Sequence, residues 1–133
     1  MPQLKLSSKQ GYLSEYLDEI KIKKAFEPFL KDIVPSLLHG DLWSGNFILN
    51  THGAYLIDPA CYYGDRMVDI AMTKLFGGFD SSFYDRYFEL NPSISHFKEK
   101  TDLYQLYYLL VHLNLFGQSY YTCLLYTSPS PRD

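Results

Sequence analysis

Residues 39–58 read HGDLWSGNFILNTHGAYLID and contain the clearest structural signal in the chain. Two short apolar runs, FILN and AYLID, flank a Gly-bearing turn at residues 51–53, which is typical of a β-hairpin. Asn46 precedes the first predicted strand and Asp58 ends the second, so the hairpin brings these two side chains to the same end. Asp41 lies just before the first strand. The sequence therefore predicts three oxygen-bearing side chains around one small volume.

Two carboxylates and an amide at one point have a specific chemical use. Hard cations such as Mg²⁺ prefer oxygen ligands, which explains Asp and Asn rather than His or Cys at these positions. Phosphoryl transfer from a nucleotide needs a carboxylate that accepts the proton of the attacking hydroxyl, and an Asn and a second Asp that hold magnesium. The alternative is a plain loop, since Gly, Asp, Ser and Asn are all common turn formers.

Helical periodicity fills most of the chain outside the hairpin. Pro35 favours an extended approach into residues 36–38. The helices are expected at about residues 14–26, ended by Pro28; about 66–76, capped by Asp65; 80 or 81 to 90; and 97–116, followed by Gly117 as C-cap. The predicted fold class is mainly α with a small β-hairpin (α+β), with the polar residues at the base of the hairpin.

Composition indicates an ordinary globular chain of one domain. The 133 residues are 47% hydrophobic and 20% charged, and the net charge of -3 gives no electrostatic reason to expect nucleic acid as a partner. No apolar run is long enough for a membrane span, and the N-terminus lacks the pattern of a signal peptide. Cys61 and Cys123 are too few for a disulfide framework or a Cys-rich zinc site, and Cys61 is expected to be a small buried residue. We expect a cytoplasmic protein.

The motif H-G-D-x-x-x-x-N, followed by a hairpin and I-D-P, resembles the catalytic loop and metal-binding Asp of kinases. Gly40 and the sequence Asp58-Pro59-Ala60 are similar to the aminoglycoside-phosphotransferase-like branch. Within that branch, HGDLWSGN, LIDPACYYGDR, VDIAMTKLFGGF and LYQLYYLLVHLNLFG closely resemble the fructosamine kinase (ketosamine 3-kinase) family, over about residues 35–119. The resemblance implies the C-terminal catalytic lobe of a protein-kinase-like fold.

The resemblance also implies a role for each matching residue. Asp41 would be the catalytic base, and Asn46 and Asp58 would ligate Mg²⁺. Trp43 and His112 would face the substrate, although a Trp beside a loop is often a core residue and a helix-borne His is often only packed. The implied co-substrate is ATP, and the implied substrate is a small-molecule or protein-bound ketosamine.

Five further residues are expected to support the site. His39 would shape the loop, Ser44 and Gly45 would keep it tight, and Asp65 and Asp69 would cap a helix and support the loop by a hydrogen bond.

The ends of the chain differ from the family pattern. Residues 1–34 resemble the linker helix that leads from a nucleotide-binding lobe, residues 35–122 the catalytic lobe, and residues 123–133 a sequencing-adapter read-through expected to be a non-native, disordered tail. No Gly-rich loop or strand Lys precedes His39, so we expect a lobe that is inactive alone. The alternatives are a phosphotransferase for an aminoglycoside, choline or homoserine, and a non-catalytic remnant without the nucleotide lobe.

Overall fold

The computed structural model describes residues 2–12, 19–31, 33–92, 95–120 and 122. Two compact units are present: residues 32–97, called here the hairpin unit, and residues 1–31 with 98–133, called the helical unit. In the described part of the chain no helix has the length and hydropathy needed to cross a membrane.

The hairpin unit contains two small antiparallel sheets. β1 (Ser36–Leu38) pairs with β4 (Tyr62–Gly64), and β2 (Phe47–Asn50) pairs with β3 (Gly53–Leu56). The β2–β3 hairpin turns at residues 51–52, where the Asn50 carboxamide oxygen accepts the backbone N–H groups of His52 and Gly53 at 2.7 and 3.1 Å. This side-chain bridge mimics a backbone turn, as Asn commonly does, and it confirms the predicted hairpin.

Two helices complete the hairpin unit. α3 (Met67–Leu75) begins where the Asp65 carboxylate accepts the Met67 N–H at 3.0 Å, and α4 (Ser81–Leu90) begins at the N-cap Asp80. Both starts lie within a residue of the prediction, but the N-cap position of α3 is Arg66 rather than the predicted Asp65. The buried apolar residues of the unit come mainly from α3 and the segment that precedes β2: Leu38, Leu42, Met67, Val68, Ile70, Ala71 and Met72.

The helical unit is built from α1 (Pro2–Lys9), α2 (Glu19–Phe26) and the long α5 (Phe97–Phe116), of which residues from 98 belong to this unit. α5 has the predicted bounds, and Gly117 follows it at φ +78°, with its N–H donating to Leu113 O. Apolar residues of α1 and α5 are buried: Leu4, Leu103, Leu106, Tyr108, Leu109, Leu110 and Leu113.

Some details differ from the sequence predictions. The β1–β4 sheet was not predicted as a pair, because three-residue strands are too short to show an alternating pattern. Cys61 is exposed rather than buried, since it precedes β4 in a loop and its strand pairs on one side only. Ile20, an apolar residue of the predicted helix at about residues 14–26, is 63% exposed. α2 ends at Phe26 as expected, but Pro28 lies in a following 3₁₀ turn (Glu27–Leu30).

Three predictions concern residues outside the described ranges or boundaries that the contacts do not test. Residues 13–18 of the predicted N-terminal helix lie outside the described residues, as do Cys123 and the tail that follows it. The predicted domain boundaries at residues 34/35 and 122/123 stay predictions.

Candidate active site

The loop after β1, which begins at His39, is hydrogen-bonded to α3. The two oxygens of the Asp69 carboxylate accept the backbone N–H groups of His39 and Gly40, at 2.8 and 2.9 Å. A carboxylate at the N-terminal turn of a helix is electrostatically favoured there, and bonds to a charged acceptor are stronger than neutral ones. Asp69 therefore provides the supporting hydrogen bonds to the loop that were expected of Asp65 or Asp69.

His39 joins the loop to the end of the hairpin. Its Nε2–H donates to Ile57 O at 2.9 Å, while Nδ1 accepts the Asp41 N–H at 3.3 Å. The His39 carbonyl accepts the N–H of Ala60 at 2.8 Å. His39 is 8% exposed, and both of its ring nitrogens are engaged in these hydrogen bonds.

Gly40 lies against the backbone that follows Asp58. Its φ is +83°, and a Cβ at this position would lie 2.1 Å from Ala60 O. Glycine adopts a positive φ without strain, and its lack of a Cβ leaves room for that carbonyl. The Gly in H-G-D is therefore required by the close approach of two loops.

Asp41 and Asn46 are directly bonded. Asn46 Nδ2 donates to both the backbone oxygen and a carboxylate oxygen of Asp41, at 2.9 and 3.0 Å. Asn46 is 7% exposed and Asp41 is half-buried. Because Nδ2 of Asn46 is engaged by Asp41, the amide oxygen is the remaining polar atom of this side chain.

Asp58 follows Ile57, whose backbone bonds to both Asn46 and His39. Ile57 donates its N–H to Asn46 O at 3.0 Å and accepts from His39, so the chain reaches Asp58 directly beside both. Asp58 is exposed and has φ +48°, in the left-handed region that Asp occupies more readily than most residues. The hairpin thus returns an exposed carboxylate to the end where Asn46 lies.

The turn between Asp41 and Asn46 is compact. Ser44–Asn46 form one 3₁₀ turn, and the N–H of Asn46 donates to Trp43 O at 2.9 Å. The Trp43 ring covers Gly45, since a Cβ there would lie 2.2–2.6 Å from three ring carbons. Trp43 remains 40% exposed, so it is not a core residue.

His112 is part of the helical unit. Its Nδ1 lies 2.7 Å from Tyr108 O, and its ring contacts those of Phe116 and Tyr120 at centroid distances of 5.8 and 5.2 Å. These contacts describe a helix-packed His. Its predicted part in substrate binding stays a prediction.

The donors present fit a magnesium ion. Asp58 supplies an exposed carboxylate and Asn46 an amide oxygen, both hard oxygen ligands. Among the described residues no three His, Cys, Asp or Glu side chains are grouped to hold a metal. Mg²⁺ does not need such a group, because it is usually bound by one or two protein oxygens together with water and substrate phosphates.

Sequence reasoning missed two residues next to the site. Ala60 contacts the loop only through its backbone, which no side-chain motif reveals. Gly78 lies against Ser44, whereas a Gly-Gly pair after a helical segment by itself indicates only the end of that helix. The available sequence signal for this contact was the second glycine of the pair, since one glycine is enough to end a helix.

A loop carrying Asp and Asn five residues apart, followed by a hairpin and a second Asp, is characteristic of the catalytic lobe of protein-kinase-like phosphotransferases. More narrowly, the chain belongs to the fructosamine kinase family, whose sequence profile matches residues 1–125.

Relatives and solved structures agree with this membership. A protein named as a probable ketoamine kinase from Lactiplantibacillus plantarum is 45% identical over 119 residues, covering 85% of this chain and 42% of that protein. The ketosamine-3-kinase of Mus musculus is 39% identical over 124 residues, covering 90% and 40%. A solved structure from Thermobifida fusca YX-ER1, assigned as a fructosamine-3-kinase, matches with a TM-score of 0.84 at 36% identity, covering 96% of this chain and 46% of that one.

These matches confirm the predicted fold class, an α+β lobe of kinase type. The chain spans less than half the length of each of these relatives.

Proposed function

We propose that this lobe belongs to an enzyme that transfers the γ-phosphoryl group of ATP to a sugar hydroxyl of a ketosamine. The observation that carries the proposal is the bonded pair of Asp41 and Asn46, with the hairpin returning Asp58 beside it. Family membership supports the reaction class, and the names of the ketoamine and ketosamine kinase relatives support the substrate class.

Asp41 is the proposed catalytic base. One of its carboxylate oxygens accepts from Asn46, which fixes the orientation of the group. The other oxygen is then available to accept the proton of the attacking hydroxyl. A base held in one orientation loses little freedom on binding substrate, which is how positioning accelerates such a reaction.

Asn46 Oδ1 and the Asp58 carboxylate are the proposed ligands of Mg²⁺. When bound, the ion would neutralise the negative charge of the nucleotide phosphates. The bonds from Asn46 to Asp41 orient the amide so that its oxygen points away from the base. Asp69 and His39 then act as supports, because they hold the backbone on either side of these groups.

Trp43 is the proposed contact for the substrate. Its ring is 40% exposed and fixed over Gly45, so it offers an aromatic surface two residues from Asp41. A part-exposed aromatic ring suits the apolar face of a sugar or the alkyl chain of an amine. His112 is proposed as a second contact on the resemblance alone.

The first test is Asp41→Asn in an active polypeptide that carries this lobe. Loss of a general base should lower kcat by about 10²–10⁴-fold and leave the KM for the ketosamine little changed. The measurement is steady-state phosphorylation of a fructosyl-lysine analogue with magnesium-ATP. Asp85→Asn, an exposed position on α4, is the matched control and should retain activity.

Asp41→Asn with undiminished turnover would remove Asp41 from its role. The same assay on the 133-residue chain tests the expectation that this chain is inactive alone.

A further inference from the structure

The loop between α3 and α4 lies against the turn that carries Asn46. Gly78, at φ +89°, approaches Ser44 so closely that a Cβ on Gly78 would lie 2.3 Å from Ser44 Cβ and 2.9 Å from its Oγ. Real carbon atoms of this kind keep a separation near 3.4 Å or more. The contact therefore leaves no room for a side chain at position 78 unless Ser44 moves.

The next residue makes a second contact with the same turn. The Phe79 ring lies 4.9 Å from that of Phe47, in a tilted arrangement. Ser44 and Phe47 flank Gly45 and Asn46 in the sequence. Two consecutive residues of the α3–α4 loop thus contact both ends of the segment that holds Asn46.

The α3–α4 loop is itself fixed by α4. The Phe79 ring contacts that of Phe83 at 4.8 Å, and Asp80 caps the helix through the Phe83 N–H at 3.0 Å. The Trp43 ring fills the space beside Gly45. Residues 44, 45 and 47 of the turn thus each have a close neighbour.

We propose that Gly78 and Phe79 are positioning residues that set the place of Asn46 and its bond to Asp41. Gly78 limits how far the Ser44 side of the turn can move, and Phe79 holds the Phe47 side. Their effect on phosphoryl transfer rests on the proposed function, but their effect on the turn does not.

A pair of adjacent glycines provides the test. Gly77 and Gly78 both have positive φ, +71° and +89°, so alanine strains the backbone at either position. A Cβ on Gly77 meets nothing within 4 Å, whereas a Cβ on Gly78 must displace Ser44 by about 1 Å. Gly77→Ala therefore measures backbone strain alone, and Gly78→Ala measures strain together with displacement of the turn.

A rescue variant separates the contact from any other defect. Ser44→Gly removes the Cβ and Oγ atoms that an alanine at position 78 would meet. Gly78→Ala combined with Ser44→Gly should therefore be less impaired than the two single changes predict together. Phe79→Leu tests the second contact without a change in backbone conformation.

Trp43 is the only tryptophan of the chain, so its fluorescence reports on the turn in the 133-residue protein itself. Gly78→Ala should shift its emission to longer wavelength and increase quenching by acrylamide, while Gly77→Ala should leave both unchanged. The double variant should restore the wild-type spectrum. Identical spectra for Gly77→Ala and Gly78→Ala, or additive effects in the double variant, would overturn the proposal.

Kinetics in an active polypeptide then test the effect on the reaction. A displacement of about 1 Å can cost about 10²-fold in rate. Gly78→Ala should lower kcat by about that factor relative to Gly77→Ala and raise the magnesium concentration needed for half-maximal rate. Phe79→Leu should change both in the same direction. A spectral change with unchanged kcat and magnesium dependence would refute the positioning role, whereas insensitivity of turnover to Asp41→Asn would refute the proposed function instead.

Discussion

At the scale of single residues, backbone conformation constrains the site as much as side-chain chemistry does. Gly40 at φ +83° and Asp58 at φ +48° are both left-handed, and they lie on the two loops that meet at the site. Glycine adopts this region freely, whereas other residues do so at a cost. A non-glycine residue kept there is consistent with retention of its side chain for chemistry.

Asp58 therefore allows a stability–function prediction. Asp58→Gly should fold at least as stably as wild type, and Asp58→Ala should be less stable than Asp58→Gly by about 1 kcal/mol, because only alanine bears the left-handed strain. Urea unfolding of the 133-residue chain measures both. In an active polypeptide each variant should weaken magnesium-nucleotide binding and rate alike. Equal stability of the two variants would show that φ at this position carries no cost.

At the scale of elements, the carboxylates near the two helix starts of the hairpin unit have different hydrogen-bond partners. The Asp65 carboxylate accepts the N–H of Met67, the first residue of α3, and Asp80 caps α4. Asp69, in the first turn of α3, instead accepts the backbone N–H groups of His39 and Gly40 in the loop after β1. Asp80 accepts from the Ser82 hydroxyl at 2.6 Å and from the Phe83 N–H. The Ser82 hydroxyl, followed by the Phe83 N–H, lowers the pKa of Asp80 below its ordinary value.

This pKa shift gives a pH-dependent prediction. A lowered pKa in the folded state means that Asp80 stabilises the fold above the pKa of the unfolded chain, and that this contribution is lost as pH falls through the folded-state value. Asp80→Ala should therefore lower the urea midpoint at pH 7, and the difference from wild type should shrink below about pH 4.

Asp80→Asn is the control, because asparagine keeps a neutral cap at every pH. A difference between Asp80→Ala and wild type that is constant from pH 7 to the acid limit would contradict the assignment.

At the scale of the whole molecule, segments from the beginning and the end of the sequence form one unit. The helical unit combines residues 1–31 with residues from 98 onward, and side chains join α1 to α5. Asn114 Nδ2 donates to the backbone and side-chain oxygens of Gln3 at 2.9 and 2.8 Å, and its Oδ1 accepts from the Ser7 hydroxyl at 2.5 Å. Ser7 is fully buried, so this network satisfies a hydroxyl group that water cannot reach.

Asn114→Ala should loosen α1 from α5. Loss of the shared partner should destabilise the chain by about 1–3 kcal/mol and increase hydrogen exchange in α1. Gln118→Ala, at an exposed position beyond α5, is the matched control and should change neither. Unchanged protection of α1 in Asn114→Ala would show that apolar packing alone joins the two helices.

The sequence by itself determined the elements whose signals are local. Periodicity and capping residues identified α3, α4 and α5 within a residue or so, and the turn after Asn50 identified the hairpin. The motif spacing predicted Asp41, Asn46 and Asp58 as site residues, and the resemblance identified the family. These features depend on residues within a few positions of one another, and such short-range preferences are written directly into the sequence.

The tertiary structure alone decided the contacts between segments far apart in the chain. Asp69 was expected to form a supporting hydrogen bond, but its partners, the N–H groups of His39 and Gly40, lie about 30 residues earlier. The β1–β4 pairing and the contact of Gly78 with Ser44 are of the same kind. Backbone N–H groups and glycines without side chains carry no partner-specific pattern, so only the packing of the helices and loops determines which groups meet.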